Sequence, residues 1–150
     1  MTPAPRRATA VPLPGVVLCC HGGLAEGLRT AAEMIAGPQP QLASVGIAPG
    51  DSRAKITAAL RAAVAAVDGG AGALVVTDMP GGTPCNLVVT GLEKEAVEMI
   101  AGASLPVVLK ALTGRRAGEP LARLAEAAVE YGRRHMVTGR ALTDPCRGGD

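Results

Sequence analysis

The sequence predicts an α/β fold: a single doubly wound, mainly parallel sheet with helices on both faces. Three features carry this expectation. Short apolar runs alternate with longer stretches of helical periodicity, Gly, Pro, Asp or Ser residues separate them, and 150 residues leave room for one such domain and no second.

Residues 1–14 hold four prolines and two arginines without apolar periodicity, so a disordered leader is expected there. The domain is expected to span residues 15–142. Val16 to Cys20 reads as a buried strand, and Leu24 to Ala36 as a helix stopped by Gly37-Pro38. Leu42 to Ile47 makes a second strand, after which Pro49-Gly50 turns the chain. Asp51 or Ser52 caps the next helix, which carries Ile56, Leu60, Val64 and Val67 along one face. Ala73 to Thr77 is a third strand, Pro84 to about Lys94 a third helix, and Val97 to Ala101 a fourth strand. Pro106 opens a short helix over Leu105 to Thr113, a longer one covers Pro120 to Arg134, and Val137 to Leu142 reads as a last strand. Residues 143–150 are expected to form a flexible tail.

With one Tyr and no Phe or Trp, the core must be built from Ala, Val, Leu, Ile and Met. A net charge of +2 without a basic stripe gives nucleic acid nothing to bind, and base stacking has almost no platform. Cys19, Cys20, Cys85 and Cys146 match neither a zinc site nor a secreted disulfide framework, so no metal is expected and the thiols read as reduced and cytoplasmic. Arg6-Arg7 before an apolar stretch loosely imitates an export signal. Pro12 and Pro14 interrupt that stretch, and it is far shorter than the roughly 20 residues that span a bilayer.

The candidate chemistry lies at two strand ends. His21 follows the first strand and precedes Gly22-Gly23, which lets the backbone turn sharply. Asp78 follows the third strand and leads into Met79-Pro80-Gly81-Gly82-Thr83-Pro84-Cys85-Asn86. Open α/β sheets bind ligands outside the carboxyl ends of strands where the winding reverses, which would make His21 and Asp78 neighbours. A carboxylate there fixes the imidazole tautomer and supports its cationic form, freeing the other ring nitrogen to attack phosphorus. Thr83 reads as an N-cap with Pro84 in the first helical position. The amides of Gly22, Gly81 and Gly82, the Thr83 hydroxyl and the helix dipole form a candidate phosphate site. Each element also has a plain structural reading: His21 as a hydrogen-bonded strand end, Gly-Gly-Thr-Pro as a helix start, Asp78 as a turn cap.

Val16-Val17-Leu18-Cys19-Cys20-His21-Gly22, with Leu24-Ala25-Glu26-Gly27-Leu28 and Ala32-Glu33-Met34 after it, resembles the opening of the IIA component of the mannose/fructose family of bacterial sugar phosphotransferase systems. Thr77 to Asn86 resembles the second signature of that family, an Asp followed by Gly-Gly-Ser/Thr-Pro and an Asn. The resemblance covers about residues 15 to 142 and implies a homodimer that exchanges its last strand, with no cofactor. It further implies that the histidine matching His21 accepts a phosphoryl group from the phosphocarrier HPr and passes it to a IIB protein. Asp78 would orient the ring, and the Gly82-Thr83 region would contact the phosphate. The sequence departs from the family at Cys19 and Cys20, where Gly, Ser or Thr is commoner, and at Met79, where some members carry an aromatic.

Three alternatives accompany this reading. His21 phosphorylation could serve a stand-alone regulatory module. A Cys20-His21 thiol site conflicts with strand geometry, since adjacent residues face opposite sides. A phosphatase would need an arginine flanking the nucleophile. His135 is expected at a helix end, and Arg115-Arg116 on a surface loop.

Overall fold

The computed structural model describes residues 11–92 and 96–143. The elements run β1 (Gly15–His21), α1 (Leu24–Ala36), β2 (Leu42–Ile47), α2 (Arg53–Val67), β3 (Ala73–Thr77), α3 (Thr83–Gly91), β4 (Val97–Ala101), α4 (Leu105–Gly114), a 3₁₀ turn at Arg115–Ala117, α5 (Leu121–Arg134) and α6 (Gly139–Thr143). Ser52 rather than Asp51 caps α2, its hydroxyl accepting from the Lys55 amide at 3.2 Å. Helix α3 ends at Gly91, short of the expected Lys94, which lies outside the described residues.

The four strands are parallel and ordered β2-β1-β3-β4. The chain steps outward from β1 to β2, then returns across β1 to β3, so the winding reverses between β1 and β3. One face packs Leu18, Leu74 and Val76 against Val108, Leu112 and Leu124 of α4 and α5, with Ala25 and Ala32 of α1. The other packs Val17, Val75 and Cys19 against Leu60 and Val64 of α2 and Leu87 and Val88 of α3. Each fully buried Val or Leu contributes about 1.5–3 kcal/mol, so the two layers hold the central strands β1 and β3 rigidly between them.

Two expectations fail here. Val137 to Leu142 is not a strand: residues 139–143 are a short helix, and no described strand lies beyond β4. A strand there needs a neighbouring strand to pair with, and apolar spacing alone does not supply one. Arg115 is not on the surface but 2% exposed. The 3₁₀ turn after α4 swings its guanidinium under the amino ends of the strands, where it donates to Pro14 O (3.3 Å), Gln41 O (3.0 Å) and Gln39 Oε1 (2.8 Å). Arg116 stays exposed.

Candidate functional site

Six buried residues of β1 deliver His21 to the surface at the carboxyl end of the sheet. The ladder continues one step further, with Gly22 N–H donating to Ile47 O at 2.8 Å. Gly22 then adopts φ +56°, a conformation that a side chain would strain. Its carbonyl lies 2.6 Å from where a Cβ of Gly46 would sit, so the turn after His21 depends on a glycine in the neighbouring strand. Sequence reasoning overlooked Gly46, although a lone glycine inside an apolar strand is itself a sign of close backbone approach.

Asp78, the first residue after β3, meets His21 as expected. Its Oδ2 accepts from the ring Nδ1 at 2.7 Å and from the His21 backbone N–H at 2.9 Å, while Oδ1 accepts from Met79 N–H at 3.0 Å. Burial pushes the Asp78 carboxyl upward, but the amide and ring of His21 outweigh it and hold the group below the ordinary carboxylate range. An ionised carboxylate only accepts hydrogen bonds, so Nδ1 carries the proton and the lone pair of the neutral ring sits on Nε2. The His21 side chain is 49% exposed and that of Asp78 13%: the carboxylate lies behind the ring, and the ring faces outward.

Beneath Asp78, Thr77 is fully buried. Its carbonyl accepts from the amides of Gly102 and Ala103, each at 2.9 Å, and its hydroxyl donates to Ile100 O at 3.2 Å. The end of β3 is thereby tied to the end of β4. This tie too was missed, since partners 23 or more residues away leave no local signal.

The glycine loop also reaches the ring. A Cβ on Gly82 would come within 3.3 Å of His21 Cε1, so this glycine lets the loop lie against the edge of the imidazole. Gly81 has φ +74°. Asn86 braces the loop, its Nδ2 donating to Gly81 O at 3.4 Å and its amide to Gly82 O at 3.0 Å. The expected capping role of Thr83 is overturned. Gly82, extended at φ −74° and ψ 168°, is the N-cap, Thr83 begins the helix, and no side chain caps the first turn. A glycine can supply the extended N-cap backbone as readily as a threonine, which moves the start by one residue. Thr83 is therefore exposed with its hydroxyl uncommitted among the described residues.

Cys19 and Cys20 are both fully buried, on opposite faces of the sheet. Burial pushes each thiol up to about 12, with nearby charge adding to it, so neither is a thiolate near neutral pH and the thiol-site alternative falls. No group of His, Cys, Asp or Glu among the described residues could hold a metal ion. No helix there is long and apolar enough to cross a membrane.

Residues 15–129 match the family described as the PTS system fructose IIA component. The mannose-specific EIIAB component of Escherichia coli K12 is 32% identical over 119 residues, covering 79% of this chain and 37% of that protein, so the chain spans little more than a third of the relative's length. Among solved structures, EIIA from Streptococcus agalactiae superposes with a TM-score of 0.78 at 22% identity, covering 86% of this chain and 99% of that one. The mannose/sorbose-specific IIA subunit from Enterococcus faecalis superposes with a TM-score of 0.75 at 26% identity, covering 84% and 94%. The fold, the match over residues 15–129 and the relatives agree, and the chain belongs to the fructose/mannose IIA family of the phosphotransferase system.

Proposed function

We propose that the domain is a cytoplasmic phosphoryl carrier that accepts a phosphoryl group from HPr on Nε2 of His21 and passes it to a IIB protein during carbohydrate uptake. The observation that carries this reading is the 2.7 Å contact between His21 Nδ1 and Asp78 Oδ2 behind a ring whose other side is open. As Nε2 attacks phosphorus, the donor's nitrogen–phosphorus bond breaks and its electron pair returns to the donor imidazole. The His21 ring becomes cationic, and Asp78 stabilises that charge without itself taking the proton. On transfer to IIB the same steps run in reverse.

The phosphoryl oxygens would lie over Gly22, Gly81, Gly82 and Thr83. In support, the first turn of α3 has no side-chain cap, so its positive end and the Thr83 hydroxyl stay available to an anion. Asp78 and His21 form the catalytic pair. A regulatory module would use the same chemistry, but the mannose-specific relative favours transport.

A homodimer joined along β4 is part of this proposal. Strand β4 ends the sheet among the described residues, and the Met99 amide donates to the neighbouring Glu98 carboxylate at 3.4 Å, which supports an edge open to a second copy. The deciding experiment incubates the protein with phosphoenolpyruvate, enzyme I and HPr and reads the intact mass. One acid-labile phosphoryl group is expected on the native protein and none on His21→Ala. Phosphate persisting in His21→Ala, or absent from the native protein with a competent HPr, would overturn the carrier reading.

A further inference from the structure

Strand β3 reads Ala73-Leu74-Val75-Val76-Thr77, and the polar side chain that ends it is as buried as the apolar ones before it. A valine fills the same space without burying a hydroxyl, so packing alone does not call for a threonine here. The hydroxyl is engaged instead, donating to Ile100 O at 3.2 Å, while the Thr77 carbonyl accepts from the Gly102 and Ala103 amides at 2.9 Å each. In the ladder Thr77 lies between Cys19 of β1 and Ala101 of β4. The three bonds therefore pin the last residue of a central strand to the strand outside it and to the turn that follows.

Asp78 is the next residue, its Cα about 3.8 Å further on. Its Oδ2 has to meet both the ring Nδ1 and the backbone N–H of His21, at 2.7 and 2.9 Å. Toward β4, Asp78 lines a cleft of about 470 Å³ together with Ile100, Gly102, Ala103 and Ser104. A carboxylate beside open space is not held by side-chain packing on that side, so its aim depends on the backbone that carries it. Resting on the carrier reading above, we propose that Thr77 is a positioning residue for phosphoryl transfer: its buried hydroxyl holds the end of β3 so that Asp78 stays aimed at His21 Nδ1. The effect runs through Asp78, which keeps the ring proton on Nδ1 and the lone pair on Nε2.

The test compares native protein with Thr77→Val, Thr77→Ser, Asp78→Asn and the double variant Thr77→Val/Asp78→Asn. Phosphoryl acceptance is measured from phosphorylated HPr and from phosphoramidate, a small donor with no protein surface, with rates taken per folded molecule after urea unfolding. Thr77→Val should lower the maximal rate about tenfold with both donors while the half-saturating HPr concentration holds, since misplacing a catalytic group by about 1 Å costs up to roughly 100-fold. Thr77→Ser, which keeps the hydroxyl, should recover most of that loss. In the Asp78→Asn background, adding Thr77→Val should change the rate by less than about twofold, because two changes acting on one contact do not add. Nitrogen NMR of the unphosphorylated proteins should find the His21 proton on Nδ1 in the native and Thr77→Ser proteins, and divided between the two ring nitrogens in Thr77→Val. The proposal is overturned if Thr77→Val keeps the native rate or leaves the proton on Nδ1, or if Thr77→Ser falls as far as Thr77→Val. It is overturned equally if the loss persists in full in the Asp78→Asn background, which reduces Thr77 to strand packing, or is confined to HPr, which places it in docking. Those outcomes leave His21 phosphorylation intact, whereas native protein that takes phosphate from neither donor overturns the carrier reading and this inference together.

Discussion

The two ends of the sheet treat polar groups in opposite ways. At the amino end, Arg115 is sealed in and donates to Pro14 O, Gln41 O and Gln39 Oε1, with its Nε finding no acceptor among the described residues. Gln39 and Gln41 in turn donate to the last carbonyls around α1 and α2, at Ala36, Gly37 and Val67. Those helix ends carry partial negative charge, which suits a buried cation that has no carboxylate beside it among the described residues. At the carboxyl end, His21 is half exposed, the first turn of α3 is uncapped and glycines hold the loops. The chain satisfies its own donors and acceptors where it needs rigidity and leaves them open where an anion would arrive.

The largest expected effect breaks the open end without touching the closed one. Asp78→Asn keeps the shape behind the ring but removes the charge that supports the cationic imidazole. Transfer from HPr should slow by about 100-fold or more while the fold persists. Because Asp78 is held below the ordinary carboxylate range, its contribution to stability is fully present above the unfolded value near 3.9. That contribution is lost as pH falls through the lower folded value. Urea unfolding across pH should therefore give a constant native-minus-Asn difference at neutral pH that shrinks only below about pH 4. Unchanged transfer rates would reduce Asp78 to a cap for Met79 and the His21 amide.

The converse change opens the closed end. Arg115→Met keeps the apolar stem of the side chain but removes the guanidinium, which strips Pro14 O and Gln39 Oε1 of their donor, whereas Gln41 O still accepts from Val16 N–H at 2.9 Å. Leaving two buried acceptors unpaired costs about 2 kcal/mol or more, roughly a 30-fold shift in the folding equilibrium. Phosphoryl acceptance per folded molecule should not move. A stability loss below about 0.5 kcal/mol would mean that the network contributes little.

The two ends also differ in how far they can be read from sequence. Strands buried on both faces appear as continuous apolar runs, so Val16 to Cys20 and Ala73 to Thr77 announce themselves, and with them the strand ends that carry His21 and Asp78. The burial of Arg115 depends on oxygens 74 to 101 residues away, and nothing within a local window distinguishes it from exposed Arg116. Gly46 was visible as a residue but not as a contact, because its meaning lies in a carbonyl on another strand. Val137 to Leu142 has apolar spacing that suits a strand, yet a strand exists only beside a neighbour. The Thr83 cap missed by one residue because Gly82 and Thr83 both suit the position.

That one-residue shift sharpens the smallest prediction. Thr83 as an N-cap would cost about 0.5–2 kcal/mol of stability on replacement by Ala. As the exposed first residue of α3, with no capping bond to lose, it should cost under about 0.5 kcal/mol. The phosphorylated protein should still suffer, because a charge-assisted hydrogen bond to the phosphoryl oxygens contributes about 1.5–3 kcal/mol, or roughly 10- to 150-fold in the equilibrium of phosphohistidine. Thr83→Asp takes the separation further. A carboxylate in the first turn favours the helix dipole by about 0.3–1 kcal/mol, so the thermal midpoint should hold or rise. The same negative charge repels an arriving phosphoryl group, so acceptance from both HPr and phosphoramidate should fall below that of Thr83→Ala. If Thr83→Asp accepts phosphate as readily as the native protein, the loop from Gly81 to Asn86 does not face the phosphoryl group. The open donors at this end of the sheet would then have been left for some other anion.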